Sequence, residues 1–318
     1  MNIFEASQVV KRYGDYTALD RVSIAVKESE IYGLLGPNGA GKTSLIRIIN
    51  QITAPDEGEI YFKGERFTAG LNASFGYLPE ERGLYKKMLV GEHALYLAQL
   101  RGMKKHDAAR ELKLWFEKFE ITQWWNKRVE ELSKGMQQKV QFVVTVLHRP
   151  TLLILDEPFS GFDPINANLI KNEIIRLKKE GTTIILSTHN MGSVEELCDS
   201  IALINRSKKI LEGSVREIRK QHSTRTYEIE FSGHMIALTN SIWTSCELLN
   251  HRQEAEHHVA TIKLLGDTTI NSLLPQLLPW VNINGLKEVI PTMNDIFIRS
   301  VSENDPLEEK SSRSAITE

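Results

Sequence analysis

Residues 36–43 read Gly-Pro-Asn-Gly-Ala-Gly-Lys-Thr, and no other stretch restricts the fold as severely. The spacing of Gly36, Gly41, Lys42 and Thr43 is that of a phosphate-binding loop, which works where a buried strand runs in and a helix runs out. Both flanks comply. Ile31, Tyr32, Gly33, Leu34 and Leu35 make an apolar run of strand length, and residues 44–52 put Leu45, Ile46, Ile48 and Ile49 at helical spacing. Glycines let the loop's backbone N–H groups close around phosphate oxygens, and the helix N-terminus adds its dipole. The expected cradle is Gly36, Pro37, Asn38, Gly39, Ala40, Gly41, Lys42, Thr43 and Ser44. Lys42 would reach the β- and γ-phosphates of a nucleotide, and the Thr43 hydroxyl would ligate magnesium (Mg²⁺). A turn that binds nothing would not need strand, spacing and helix to agree.

A second chemical signal lies at residues 152–157, where Leu-Leu-Ile-Leu ends in Asp156 and Glu157. A continuous apolar run suits a parallel strand buried on both faces. Ligands of open α/β sheets bind at the C-terminal ends of such strands. Asp156 suits Mg²⁺, directly or through water, and Glu157 suits positioning or deprotonating an attacking water. An acidic pair after a strand is often only a cap, but the phosphate-binding loop in the same chain favours the metal reading. A further strand at 182–187 delivers Thr188 and His189 to the same edge, where a lone histidine would usually be structural.

Around these signals the pattern is that of two domains. Residues 4–10 and 22–26 alternate as strands of an antiparallel sheet, with Tyr13 and Tyr16 on a polar loop between them, either able to stack on adenine. Strands are expected at 59–63 and 75–78, with a loop at 79–85. Asp107 is the expected N-cap of a helix carrying Leu112, Trp115, Phe116 and Phe119, which joins residues 90–101 in a helical subdomain. Trp115, Trp124 and Trp125 read as core, or as a docking surface, rather than as a cofactor box. Past Gly213, strands at 226–231, 258–264 and 281–290 with a helix at 270–278 predict a small α+β domain. His251, His257 and His258 read there as a solvated turn rather than a metal site. Residues 302–318 read as a disordered tail.

Composition excludes several functions. Lys and Arg total 39 against 41 Asp and Glu, a net charge of -2 that offers no basic field for nucleic acid. Two cysteines, Cys198 and Cys246, form no zinc or disulfide pattern and fit a reducing compartment. The first residues lack a basic-then-apolar signal pattern, and no apolar run approaches the ~18 residues of a membrane span. Contact with a membrane is therefore expected only through a partner.

Leu132-Ser-Lys-Gly-Met136, leading a helix to about His148, resembles the signature of ATP-binding cassette (ABC) ATPases. The motifs follow that family's order: residues 36–43, 132–136, Asp156-Glu157, 160–163 and His189. The resemblance covers residues 1–220, and the continuation ending in Pro291-Thr-Met-Asn-Asp-Ile-Phe-Ile298 is similar to the extension of sodium- and drug-efflux (NatA-like) exporter ATPases. It implies an α/β fold of the P-loop NTPase ABC cassette type. A mixed sheet core, an antiparallel β subdomain and a helical subdomain at about 87–150 would precede an α+β accessory domain at 223–301.

The resemblance also implies roles. Tyr13, before Gly14, becomes the adenine-stacking residue, and His189 senses the γ-phosphate. Ser133 and Gly135 contact ATP bound to the opposite subunit, and Asp163 lies at the subunit interface. Thr43, Asp156 and Glu80 would hold Mg²⁺. Two departures stand out: the commoner signature has a further glycine and a glutamine where this chain has Lys134 and Met136, and Glu80 replaces a glutamine. The implied activity is MgATP hydrolysis in a homodimer that drives a separate integral membrane permease from the cytoplasmic face of the cell membrane, without nucleic acid. The competing expectations are a soluble cassette ATPase acting on ribosomes or DNA, and a regulatory ATP binder.

Overall fold

The computed structural model describes residues 1–68, 74–81, 83–254 and 257–304. The chain opens with β1 (Asn2–Tyr13) and β2 (Tyr16–Lys27), which pair antiparallel with Tyr13 opposite Tyr16. Both strands exceed the expected spans, and the two tyrosines close a hairpin rather than sit in a polar loop. Gly14 at φ +58° supplies the left-handed geometry that a two-residue turn needs. Then come β3 (Ile31–Leu35), α1 (Lys42–Ile49), β4 (Glu57–Phe62), β5 (Glu65–Arg66) and β6 (Phe75–Leu78). Helix α1 starts earlier and stops earlier than the apolar spacing suggested. Asn50 ends it, with its side-chain amide donating to the Ile46 carbonyl at 2.9 Å.

Helices α2 (Val90–Leu100), α3 (Lys105–Lys118) and α4 (Lys134–Val146) pack on one another as the helical subdomain. Asp107 is not the N-cap of α3: Lys104 holds that position, and Asp107 lies in the first turn, where its charge favours the helix dipole. Trp115, Trp124 and Trp125 are half-buried rather than fully core. Trp125 lies so close to Gly91 that a Cβ there would meet its ring at 2.3 Å.

The cassette continues through β7 (Leu152–Asp156), α5 (Pro164–Lys179), β8 (Thr183–Ser187), α6 (Met191–Leu197), β9 (Ser200–Asn205) and β10 (Lys208–Ser214). A four-stranded antiparallel sheet has the order β2-β1-β4-β5. A six-stranded mixed sheet has the order β10-β9-β3-β8-β7-β6, parallel except for β10. Leu45, Ile46, Ile48 and Ile49 of α1 share a core with Phe4 and Ile24 of the first sheet and Leu34, Ile154 and Ile185 of the second. Burying each such side chain contributes about 1.5–3 kcal/mol. That core fixes the loop before α1 relative to both sheets.

Residues 216–299 form a second compact unit. After α7 (Val215–Gln221) come β11 (Thr226–Ser232), α8 (Met235–Ile242), β12 (Cys246–Glu254), β13 (His257–Leu264), α9 (Ile270–Leu277), β14 (Asn282–Glu288) and α10 (Met293–Glu303). The antiparallel sheet β12-β13-β11-β14 packs Ile229, Phe231 and Ile262 against Leu238 and Ile242 of α8 and Leu273 and Leu277 of α9. His251, His257 and His258 are strand residues, not a turn, with His251 Nε2 3.1 Å from His258 Nδ1. Among the described residues no group of three metal-ligating side chains occurs. Because α10 runs to Glu303, the expected tail does not begin at 302. The rest of it, residues 305–318, lies outside the described residues.

Candidate nucleotide site

Four neighbouring parallel strands, β3, β8, β7 and β6, end on one edge of the sheet. Each carries a predicted site residue just past its C-terminus. The loop at 36–43 follows β3, Thr188 and His189 follow β8, Glu157 follows Asp156 at the end of β7, and Glu80 follows β6. A cavity of about 400 Å³ is lined by Asn38, Gly39, Gly41, Lys42, Thr43 and Ser44 of the loop together with Glu80, Asp156, Glu157, His189, Tyr16 and Ala18. Parallel pairing alone thus converges residues that are far apart in the chain.

Glycine is required at two points of the loop. Gly36 has φ +150° and Gly41 φ +116°. A Cβ at Gly36 would lie 2.2 Å from the Ile204 carbonyl oxygen, and one at Gly41 would lie 2.3 Å from that of Ala18. Pro37 and Ala40 shape the loop from behind. The Ala40 N–H donates to the Pro37 carbonyl at 3.2 Å, and the Ala40 carbonyl accepts from the Ser207 N–H at 3.1 Å.

Lys42 is buried, its ammonium donating to the Gly36 carbonyl at 2.8 Å and the Pro37 carbonyl at 3.1 Å. Burial lowers its pKa, opposed by the charges of Glu157, Asp156 and Glu80. Asp156 is buried too. Burial raises its pKa, and Glu80 and Glu157 push the same way while Lys42 opposes. One ammonium therefore faces three carboxylates, an arrangement a dication would relieve. The donor set fits Mg²⁺: Thr43 offers a hydroxyl, Asp156 and Glu80 offer carboxylate oxygens, and phosphate oxygens would complete the shell.

Glu157 is held in place. Its backbone sits at φ +47°, a left-handed conformation costing about 1–3 kcal/mol for a residue with a side chain. Its N–H donates to the Ser187 carbonyl at 2.9 Å, which ties it to β8. One carboxylate oxygen, Oε1, accepts from the His189 N–H at 2.9 Å and lies 2.6 Å from His189 Nδ1, while Oε2 accepts from the Thr188 hydroxyl at 3.3 Å. The carboxylate still lines the cavity, and its contacts with Thr188 and His189 hold it on the side of the loop at 36–43.

Other predicted residues lie elsewhere. Ser133 caps α4, its Oγ accepting from the Met136 N–H at 3.3 Å, and neither it nor Gly135 lines the cavity. Asp163 caps α5 by accepting from the N–H groups of Ile165 and Asn166, each at 3.0 Å. Tyr13 also stays outside the lining, exposed, with the Lys11 ammonium 5.5 Å from its ring. Tyr16 is the tyrosine in the lining, and its hydroxyl donates to the Gly39 carbonyl at 3.0 Å. Sequence reasoning weighed Tyr16 only as a stacking residue. Its bond to the loop depends on the hairpin register and has no local signal.

A phosphate-binding loop opening α1, an acidic strand end and a capped helix at 133–146 define a cassette-type nucleotide-binding protein. Residues 19–160 match the family described as ABC transporter, and residues 213–301 match the C-terminal domain of the ATP-binding protein DrrA1-3-like family. The uncharacterized ABC transporter ATP-binding protein YhaQ of Bacillus subtilis (strain 168) is 47% identical over 221 residues, covering 70% of this chain and 74% of that protein. The ABC transporter ATP-binding protein NatA of the same organism is 31% identical over 223 residues, covering 69% and 91%. A solved ATP binding subunit of an ABC transporter superposes with a TM-score of 0.65 at 31% identity, over 69% of this chain and 92% of its own. The chain belongs to the family of ABC transporter ATP-binding proteins.

Proposed function

We propose that this chain is the ATP-hydrolysing subunit of an ABC exporter and powers a separate integral membrane permease. The observation that carries the reading is the meeting of Lys42, Thr43, Glu80, Asp156, Glu157 and His189 in one cavity at the ends of four parallel strands. ATP would lie with its phosphates against the loop at 36–44 and its adenine on Tyr13. Thr43, Asp156 and Glu80 would hold Mg²⁺, which when bound neutralises charge developing on the phosphates. Glu157 accepts a proton from the attacking water as the water oxygen bonds to the γ-phosphorus and the bond to the ADP oxygen breaks. His189, beside both, senses the γ-phosphate and orients the carboxylate.

Ser133 and Gly135 lie outside the cavity, which supports a second copy supplying them. The helix N-terminus they begin would be aimed at the γ-phosphate across a homodimer. The export direction is supported by the 35% identity over 223 residues to the Nod factor export ATP-binding protein I of Rhizobium etli. No helix among the described residues is long and apolar enough to cross a membrane. The permease is accordingly proposed as the membrane anchor, with this chain peripheral on the cytoplasmic face.

Lys42→Ala removes the buried ammonium and leaves the core around α1 intact. Binding of MgATP, measured by calorimetry, should weaken at least about tenfold and hydrolysis should vanish. Wild-type hydrolysis by a folded Lys42→Ala protein would refute the assignment.

A further inference from the structure

The two departures from the family's usual residues, Glu80 and Lys134, are brought together by the fold. An open cavity of about 550 Å³ is lined by Glu80, Glu81, Lys134, Ser160 and Gly161. Glu80 also lines the nucleotide cavity, so it stands on the wall shared by the two. On the nucleotide side it is a third carboxylate beside Asp156 and Glu157, and Lys42 is already held by two loop carbonyls. On the other side Lys134 is the one cation of the lining among the described residues. Among the described residues neither Glu80 nor Lys134 holds an ion pair within hydrogen-bonding reach.

Geometry and charge point in one direction. Lys42, the cation in electrostatic reach of Glu80, is already engaged by two loop carbonyls, so a carboxylate facing a triphosphate gains from a further cation, and Lys134 lines the adjoining cavity with it. We propose that Lys134 is the counter-charge of Glu80: closure around MgATP brings the ammonium to the carboxylate and ties the loop after β6 to the N-terminus of α4. Lys134 is thus a positioning residue that acts through Glu80. The inference rests on the nucleotide-site reading and adds to it why two unusual residues occur in one chain. A glutamine at 80 would need no such partner, and a glycine at 134 would offer none.

A double-mutant cycle on the full-length chain tests the pairing. ATPase kcat and KM are measured for Glu80→Gln, Lys134→Met and the double variant, with Lys134→Arg as the conservative rescue and Glu81→Gln as the control acid. Each single substitution leaves one charge unmatched and should lower kcat about three- to tenfold. The double variant should turn over at least about threefold faster than the product of the single effects predicts. Lys134→Arg should retain most activity, and the Lys134→Met defect should shrink at high salt as the repulsion is screened. Multiplicative singles, or coupling of Lys134 to Glu81 instead, would overturn the pairing while leaving the nucleotide site standing. A wild-type chain that hydrolyses no ATP, or a Lys42→Ala chain as active as wild type, would overturn the site reading and the pairing with it.

Discussion

His93 lies fully buried on α2, and among the described residues neither ring nitrogen has a hydrogen-bond partner. Burial lowers its pKa from the ordinary 6.5. Between the lowered value and 6.5 the unfolded chain binds this proton and the folded chain does not, so stability falls as pH drops through that window. His93→Leu should flatten the decline by up to about 1.4 kcal/mol per pH unit, read from urea midpoints at several pH values. An unchanged slope would mean that the ring is solvated in solution. His93 and Tyr16 mark what the sequence could not disclose at this scale, since both depend on neighbours contributed by tertiary packing. Lys42, Asp156 and Glu157 were legible because a phosphate loop and a strand end bring their chemistry in fixed local spacing. Tyr13 was singled out only by its place before Gly14, and its adenine role remains a proposal.

Between elements, one buried acid joins the helical subdomain to α5. Glu173, only 4% exposed, sits between the Lys118 ammonium of α3 at 2.5 Å and the Arg176 guanidinium at 2.9 Å. Both cations also lie over the Trp115 ring, at 5.5 and 5.4 Å. Glu173→Ala takes the carboxylate from the Lys118 ammonium against an apolar wall, and leaves Arg176 with Glu180 alone. Because both are partly exposed, the expected loss of stability is about 1–3 kcal/mol rather than the full penalty of a buried pair. A urea midpoint unchanged by the substitution would contradict this account. The strands β3, β7 and β8 could be read from sequence because burial on both faces leaves continuous apolar runs. Past Gly213, α7, α8, β12 and α10 escaped, and two of them show why. In β12 only Cys246 is buried, so its sequence carries no alternation. In α8 the Thr239 and Ser241 hydroxyls donate to carbonyls one turn back, and such residues weaken helical propensity.

For the whole molecule the decisive question is whether two copies are needed to complete each site. Asp156, Glu157 and Lys42 share one cavity, whereas Ser133 caps α4 and Gly135 lies in its first turn, both outside that cavity. That division predicts that MgATP binding and association of copies are linked, each strengthening the other. Slowing hydrolysis should therefore trap the associated state. Glu157→Gln preserves shape and hydrogen-bonding reach but cannot accept the proton. Turnover should fall about 10²–10⁴-fold while affinity for ATP stays nearly intact. The central measurement is light scattering during size-exclusion chromatography of Glu157→Gln, with and without saturating MgATP, alone and in complex with the proposed permease. The account predicts a dimer that appears only with MgATP and dissociates when nucleotide is removed. Wild-type turnover by Glu157→Gln, or a chain that stays monomeric with MgATP and pairs no more tightly in the complex, would contradict it.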